Sequence, residues 1–518
     1  MNYVILTSHL VVVVRFLMNH GCCISSKGFS QRHELEQLET EQAGDRGNRL
    51  VICPKNPNLC PFSAGYAEVI NAGKTLLNED QASCGIFNIT DFSENDGDGD
   101  KPACSEQLSF EYFGIFDGHA GNSAAVLASE FLHRFVAAEL STVVHFVKNE
   151  LGSSPDPNDH PLKSRSVCMN SPFTKYTFSI DALIKGALQK AFYEMDDYIL
   201  LESNRRYLRG GCAVIIAVII DDRLYIANAG DCRALLVRED TVVQLSHDHT
   251  PISERCRLQQ VAYDHPELLF GEFSRLMFTR RVLKSDVGKL MPYRDYETAG
   301  WSIKEVTIED TRLPMINGTG KAAKLLSTIG VTRGLGDHKL TIFSTNHSIK
   351  PFLSSSPEVT VCNASSFKET DILVLGCDGL WDVLSNQRVG EIVRDILSNS
   401  EKDNPRRFIN AAKALVTEAR GCKPERASWQ LANGSPASFD DISCFVIPLC
   451  QQTFAKTRPS FSSVILESHT SNTCKSASSK CFDIPVDHKK HSTETFNLET
   501  PSEEVSLNQS NLFHSLKH

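Results

Sequence analysis

Residues 210–220, Gly-Gly-Cys-Ala-Val-Ile-Ile-Ala-Val-Ile-Ile, leave little choice of fold. The run carries no charge, and its β-branched content predicts a strand buried on both faces. Asp221-Asp222 turns it into a partner strand, Leu224-Tyr-Ile-Ala-Asn-Ala, which ends abruptly in Gly230-Asp231. Ala234 to Arg238 reads as a third strand continuing the same meander. An acid that ends an apolar strand needs something at the sheet edge that uses its charge.

The pattern recurs. Phe113-Gly-Ile-Phe116 stops at Asp117-Gly118-His119, and an apolar face of Leu127, Phe131, Phe135 and Ala138 then predicts a helix. A second helix is spaced by Ile184, Leu188, Phe192, Met195 and Ile199. Asp371-Ile-Leu-Val-Leu-Gly-Cys runs into Asp378-Gly379, and Asp440-Asp441 immediately precedes a last strand, Ile442–Ile447. Taken alone, Asp117 can also be read as a strand-to-helix turn with an Asx bond. Taken together, Asp117, Asp378 and Asp440 each border an apolar strand, and strand ends converge in a packed sheet. Acids a few Å apart resist ionisation unless cations neutralise them. All-oxygen ligation selects Mg²⁺ or Mn²⁺ over zinc. Two such ions would share a bridging water and make hydroxide available near neutral pH. Phosphate-monoester hydrolysis, which needs accelerations approaching ~10²¹, suits such a site. His119 would protonate the departing alkoxide.

Composition narrows the alternatives. A net charge of −10 and the lack of a basic stripe argue against nucleic-acid binding, and so against a two-metal nuclease. The seventeen cysteines are scattered, form no CxxC pair, and often sit in apolar runs, as Cys212, Cys377 and Cys444 do. Such thiols pack as small hydrophobes, which points to a reducing compartment. In that setting sequons such as Asn88 and Asn317 are coincidental. The expected location is cytoplasmic.

Three regions follow from the chain's texture. Residues 1–60 read as a mobile polar leader, residues 61–450 as a catalytic domain, and residues 451–518 as a Ser/Thr/Lys-rich disordered tail. The leader begins with an apolar segment, Tyr3 to Met18, interrupted by Arg15 and too short to span a bilayer. Weak membrane contact through residues 1–18, a signal peptide, and neither of these all stand as readings. Residues 262–320 have weak periodicity and many Arg, Lys, Tyr and Phe residues, and are expected to form a flap-like insertion. Three motifs are decoys. Asp96-Gly-Asp-Gly-Asp100 lacks the Gly and Glu that an EF-hand loop requires. Cys232 and Arg238 have cysteine-phosphatase spacing but enclose a core strand. His247-Asp248-His249 is expected to anchor a strand end rather than a metal.

Six ordered motifs carry a resemblance. They are Asn78-Glu79-Asp80, Phe116-Asp117-Gly118-His119, Ala229-Gly-Asp231-Cys-Arg233, Thr332-Arg-Gly-Leu-Gly-Asp337, Cys377-Asp378-Gly-Leu-Trp-Asp382 and Asp440-Asp-Ile-Ser443. Over residues 65–449 the chain resembles the metal-dependent serine/threonine phosphatases of type 2C, most of all their H/J/M branch. The resemblance implies an α+β fold, a four-layer α-β-β-α sandwich of two antiparallel sheets flanked by helices. It implies Asp117, Asp378, Asp440 and the Gly118 carbonyl as direct metal ligands. Glu79 and Asp80 would act through metal-bound waters, and Asp231 would help hold a third, weaker ion.

Two departures bear on the site. The family's phosphate-binding arginine, four residues before Glu79, is Thr75 here, with Lys74 beside it as the replacement cation. The last motif commonly reads Asp-Asn but here reads Asp440-Asp441. The implied activity is dephosphorylation of phosphoserine and phosphothreonine in proteins. The branch adds phosphorylated small GTPases of the Rab type as partners, docked on the aromatic and basic residues of 262–320. The rival is an inactive pseudophosphatase acting as a scaffold, which predicts broken metal positions.

Overall fold

The computed structural model describes residues 27–29, 46–90, 107–144, 166–170, 175–363, 366–424 and 428–449. The apolar segment 1–18, the acidic run 96–100 and the tail from 451 lie outside the described residues.

Ten strands matter for the site. They are β1 (Gly65–Val69), β2 (Gln81–Thr90), β3 (Gln107–His119), β4 (Gly211–Ile220), β5 (Arg223–Ala229), β6 (Arg233–Val237), β7 (Val242–Gln244), β8 (Glu358–Asn363), β9 (Ile372–Gly376) and β10 (Ile442–Pro448). Four helices, α1 (Ser123–Ser141), α2 (Ile180–Arg206), α3 (Asn386–Ser398) and α4 (Arg407–Arg420), flank them. The first sheet runs Lys27–Phe29, β2, β3, β4, β5, β8, and the second runs β7, β6, β9, β10, β1. All of these pairings are antiparallel.

The uncharged run 211–220 is β4, in the middle of the first sheet, and every residue of it is buried. Its alternate side chains serve two cores. Val214, Ile216 and Val218 pack under α1 and α2, whereas Ile215, Ala217 and Ile219 face the second sheet. On β9 the roles mirror these: Leu373 and Leu375 point between the sheets, and Val374 packs with α3 and α4 residues such as Val389 and Leu415. A strand apolar on both faces therefore reports the four α-β-β-α layers directly. Ser179 and Ser385 cap α2 and α3 by accepting from the amides of Ala182 and Arg388.

Two expectations are corrected. Residues 233–237 do not extend the meander, because they form β6 in the second sheet, between β7 and β9. The crossing happens at Gly230, where φ is +138° and an added Cβ would lie 2.3 Å from the Ala213 side chain. Residues 46–60 are not a free leader. Ile52 bridges to Glu68, and the wholly buried Arg49 donates to the carbonyls of Ile70 (2.7 Å), Ser438 (2.7 Å) and Asp440 (2.8 Å).

Residues 262–320 fold into short pieces, which is why no period shows. Met277–Phe278, Leu290–Arg294 and Ser302–Glu305 make a three-stranded antiparallel sheet over a small core of Val282, Met291 and Val306. Phe273, Met315 and Ile316 pack with Leu258, Leu325 and Phe352 in a separate cluster.

Candidate active site

β3 and β5 end at the same edge of the first sheet, on either side of the start of β4. Asp117 lies opposite Ala213, and Asp231 follows Gly230 at the end of β5. Across the sandwich, β9 delivers Asp378 at its end, and Asp440 stands just before β10. Carboxylates from both sheets thus meet in one cleft of about 290 Å³, which Lys74, Gly118, His119 and Lys321 also line. Oxygens of Asp117, Asp231 and Asp378 lie within 4.8 Å of one another.

The electrostatics of that trio bear on what it could hold. Burial pushes the Asp117 carboxyl well above the carboxylate range, and the charges of Asp378, Asp80 and Asp231 push it further. Asp378 is raised by burial and by Asp440, and Asp231 is pushed up to about 7 by burial and Asp378. Clustered, half-buried acids that resist ionisation fit divalent cations with oxygen ligands, which would supply the missing positive charge. Asp80 and Asp117 also meet the Cys377 sulfur within 4.8 Å. That thiol is buried, accepts from the Ser443 amide at 3.2 Å and is held protonated by burial, so oxygen ligation remains the better fit.

The other expected residues take distinct places. Glu79 is buried, and its Oε1 accepts from the Gly121 amide at 2.7 Å. Asp80 accepts from the Ser443 hydroxyl at 2.7 Å, beneath the cleft floor. Gly118 sits where a Cβ would lie 2.4 Å from the Glu79 carbonyl, so any side chain would push β3 away from the first motif. Asp441 does not face the cleft. It accepts from the amides of Asn71 (2.7 Å) and Glu79 (2.9 Å), fixing the first motif to the last. Its neighbour Asp440 accepts from Lys74 Nζ at 2.5 Å. Burial disfavours the Lys74 cation, but Asp440, Asp378 and Asp117 outweigh that and raise its pKa. Thr75 turns back to bond Asn71 and Leu77, leaving Lys74 as the cation at that rim.

His119 has a partner that the sequence motifs contained without a role. Its Nε2 lies 2.6 Å from Asp337 Oδ2, and Asp337 is almost fully buried. Burial works against the imidazolium, yet the bond and charge of Asp337, with Asp231 and Glu79, hold the ring above the usual histidine pKa. Gly211 makes room, since a Cβ there would be 2.4 Å from Asp337 Oδ2. Arg333 keeps the motif in place by a two-pronged pair with Glu254, at 2.6 and 2.8 Å. Lys321, the residue after the insertion, was also missed; it pairs with Asp382 at the mouth of the cleft. The His-Asp-His decoy behaves as expected, with Asp248 paired to Arg233 and His249 bonded to Gly230.

The family profile for Protein phosphatase 2C matches residues 90–264 and 307–423, more than half of the chain. The chain belongs to the protein phosphatase 2C family. Human protein phosphatase 1H is 39% identical over 460 residues, spanning 80% of this chain and 89% of that protein. Mouse protein phosphatase 1J is 41% identical over 423 residues, spanning 79% and 83%. Mouse protein phosphatase 1M is 43% identical over 411 residues, spanning 78% and 87%. The phosphatase 2C chain is accordingly a metal-dependent protein serine/threonine phosphatase. The profile match breaks across residues 265–306, so the small three-stranded sheet lies outside what the family pattern covers.

Proposed function

We propose that the cleft hydrolyses phosphoserine and phosphothreonine in folded phosphoproteins, with Asp117, Asp378, Asp440 and the Gly118 carbonyl holding two Mg²⁺ or Mn²⁺ ions. Asp231 would serve a third ion, and Glu79 and Asp80 would steady the ions' water ligands. The bound ions would supply a bridging hydroxide near neutral pH and neutralise the phosphoryl oxygens. The observation that carries this reading is the convergence of Asp117, Asp231 and Asp378 from two sheets.

The chain's own residues supply the rest. Lys74, free of competition from Thr75, sits at the rim where a phosphoryl oxygen would approach Asp440's side of the cleft. His119, whose charged form Asp337 favours, gives its proton to the leaving serine or threonine oxygen as that oxygen becomes basic. Phosphate release from a phosphothreonine peptide should require Mn²⁺ or Mg²⁺ and stop with EDTA. A chain that binds the peptide but releases no phosphate with either ion would instead be the scaffold alternative.

The insertion at 262–320 is proposed as the docking surface for the protein substrate, with a phosphorylated small GTPase of the Rab type as partner. Its support is the exposed Leu290, Trp301 and Ile303 beside arginines, away from the acids. Altering it should raise KM for the protein and spare a small aryl phosphate; equal losses on both would defeat the docking role. A cytoplasmic location with weak membrane contact through residues 1–18 completes the proposal. Its support is the spacing of Leu6, Leu10, Val14 and Leu17 at steps of four and three in the sequence, which a helix would gather on one face. A chain lacking residues 1–20 should float less with liposomes.

A further inference from the structure

The insertion contains a cavity of about 350 Å³, larger than the catalytic cleft and lined by four arginines: Arg280, Arg281, Arg294 and Arg312. Two of them are accounted for. Arg280 forms a double contact with Asp286 (2.7 and 3.0 Å), and Arg312 lies 3.8 Å from Glu309. The carboxylate that lines the cavity, Asp310, is engaged by Lys304 (2.8 Å) and Thr307. Arg281 and Arg294 have no ion pair among the described residues. Arg294 stacks 4.3 Å over the Trp301 ring and reaches only the Met277 sulfur, at 3.4 Å. Its Nε is buried with no acceptor. A buried guanidinium donor without an acceptor costs free energy, and its natural complement is a carboxylate or phosphate oxygen.

The wall of this cavity continues onto a mainly apolar face. In the three-stranded sheet Met277 pairs with Arg294, Pro292 with Ile303 and Leu290 with Glu305, so Met277, Leu290, Pro292, Arg294 and Ile303 share one side, with the exposed Glu305 at its far edge from Arg294. On that side Leu290 is 72% exposed and Ile303 61%, next to Trp301 at 47%. A free anion would use the arginines and leave this face in water. A protein segment would use both.

We propose that the cavity and the adjoining sheet face bind an acidic, apolar segment of a docking protein, one carboxylate entering between Arg281 and Arg294 while apolar side chains cover Leu290 and Ile303. This rests on the docking role of the insertion and adds the chemistry of what docks. Aromatic and arginine anchors around a desolvated pocket are where interface energy concentrates.

The test uses the full chain and a fluorescein-labelled peptide alternating leucine and glutamate, followed by anisotropy. A second peptide carries glutamine in place of glutamate. The acidic peptide should bind at least tenfold more tightly than its glutamine twin. R281Q and the double variant R281Q/R294Q should each erase most of that difference, while hydrolysis of a small aryl phosphate stays unchanged. Arg281 is exposed, so R281Q reports even if the double variant misfolds. Equal binding of the two peptides, or wild-type binding by R281Q, would overturn the proposal. Displacement of the peptide by millimolar inorganic phosphate alone would also overturn it, in favour of a free-anion site. If the acidic peptide binds as expected but does not compete with turnover of a phosphoprotein, the pocket stands and the substrate-docking role falls.

Discussion

His119 and Asp337 are 218 residues apart in sequence, and their side chains meet at 2.6 Å where β3 reaches the acid-lined edge of the sheet. The carboxylate is held by a left-handed backbone, φ +56°, and faces the glycine at 211. It occupies one ring nitrogen, and it favours the charged ring.

Asp337→Asn should therefore lower the pKa of His119. A general acid works only while protonated, so the alkaline fall of kcat moves to lower pH. At pH 8 a loss of roughly tenfold or more is expected, within the 10²–10⁴-fold worth of a general acid. The deficit should shrink with an aryl phosphate, whose leaving group needs no proton. An unshifted alkaline limb would leave Asp337 a merely structural role.

Removing the ions should unfold the domain more easily. With Asp117, Asp231 and Asp378 facing one another, EDTA should lower the melting temperature, and Mn²⁺ at a hundred times its Kd should add about 2.7 kcal/mol. Asp117→Asn or Asp378→Asn should abolish turnover yet melt higher than wild type in EDTA, since a repelling charge is gone. Equal melting of wild type and variants in EDTA would mean the acids do not repel as their raised pKa values indicate.

Glu111 gives a pH signature independent of the ions. It lies on β3 among apolar neighbours, nearly fully buried with one carboxylate oxygen unpaired, and burial raises its pKa to about 7. The folded state therefore holds a proton that the unfolded chain releases near the ordinary glutamate value. Stability should fall as pH rises between those two values, by about 3 kcal/mol for this one group. Urea unfolding at pH 5 and pH 8 should show that fall in wild type relative to Glu111→Gln. Parallel pH dependence of the two proteins would refute it.

Arg49 tests whether the start of the domain lies before residue 60. Its three carbonyl partners include the backbone of Asp440, a cleft acid. Arg49→Met should cost roughly 3 kcal/mol or more, because several buried carbonyls lose their donor. It should also raise the Mn²⁺ concentration needed for half-maximal activity. A chain starting at residue 61 should behave worse still.

Much of this was legible in the residues, for reasons that also mark where reading stopped. Asp117, Asp231, Asp378 and Asp440 announced themselves because each interrupts apolar sequence at a strand end. β4 announced two covered faces because it has no polar alternation. β6 was assigned to the wrong sheet, since Ala234 and Leu236 face inward in either one and only the turn at Gly230 decides. Arg49 was hidden in a polar leader, where a buried arginine and a solvated one look alike. Asp337 stood in a motif, but its partner is fixed by tertiary approach through Gly211, which local pattern does not encode. Lys321 lies in a single 3-10 turn, Gly320–Ala322, and the cavity arginines lie in loops or at the end of a five-residue strand, pieces too short to show a period.

The acids come from opposite sheets, with Asp117 on the first and Asp378 and Asp440 on the second. Four residues before Asp117, Phe113 meets Phe445 of β10 edge-on at 5.6 Å. Ions held by these acids would be a suture across the seam of the sandwich, and their grip would measure how the two sheets are seated. Loosening that seam, as by trimming Phe113 or Phe445, would be felt first as a thirst for metal and only later as unfolding. Cation affinity would then be a gauge of core packing.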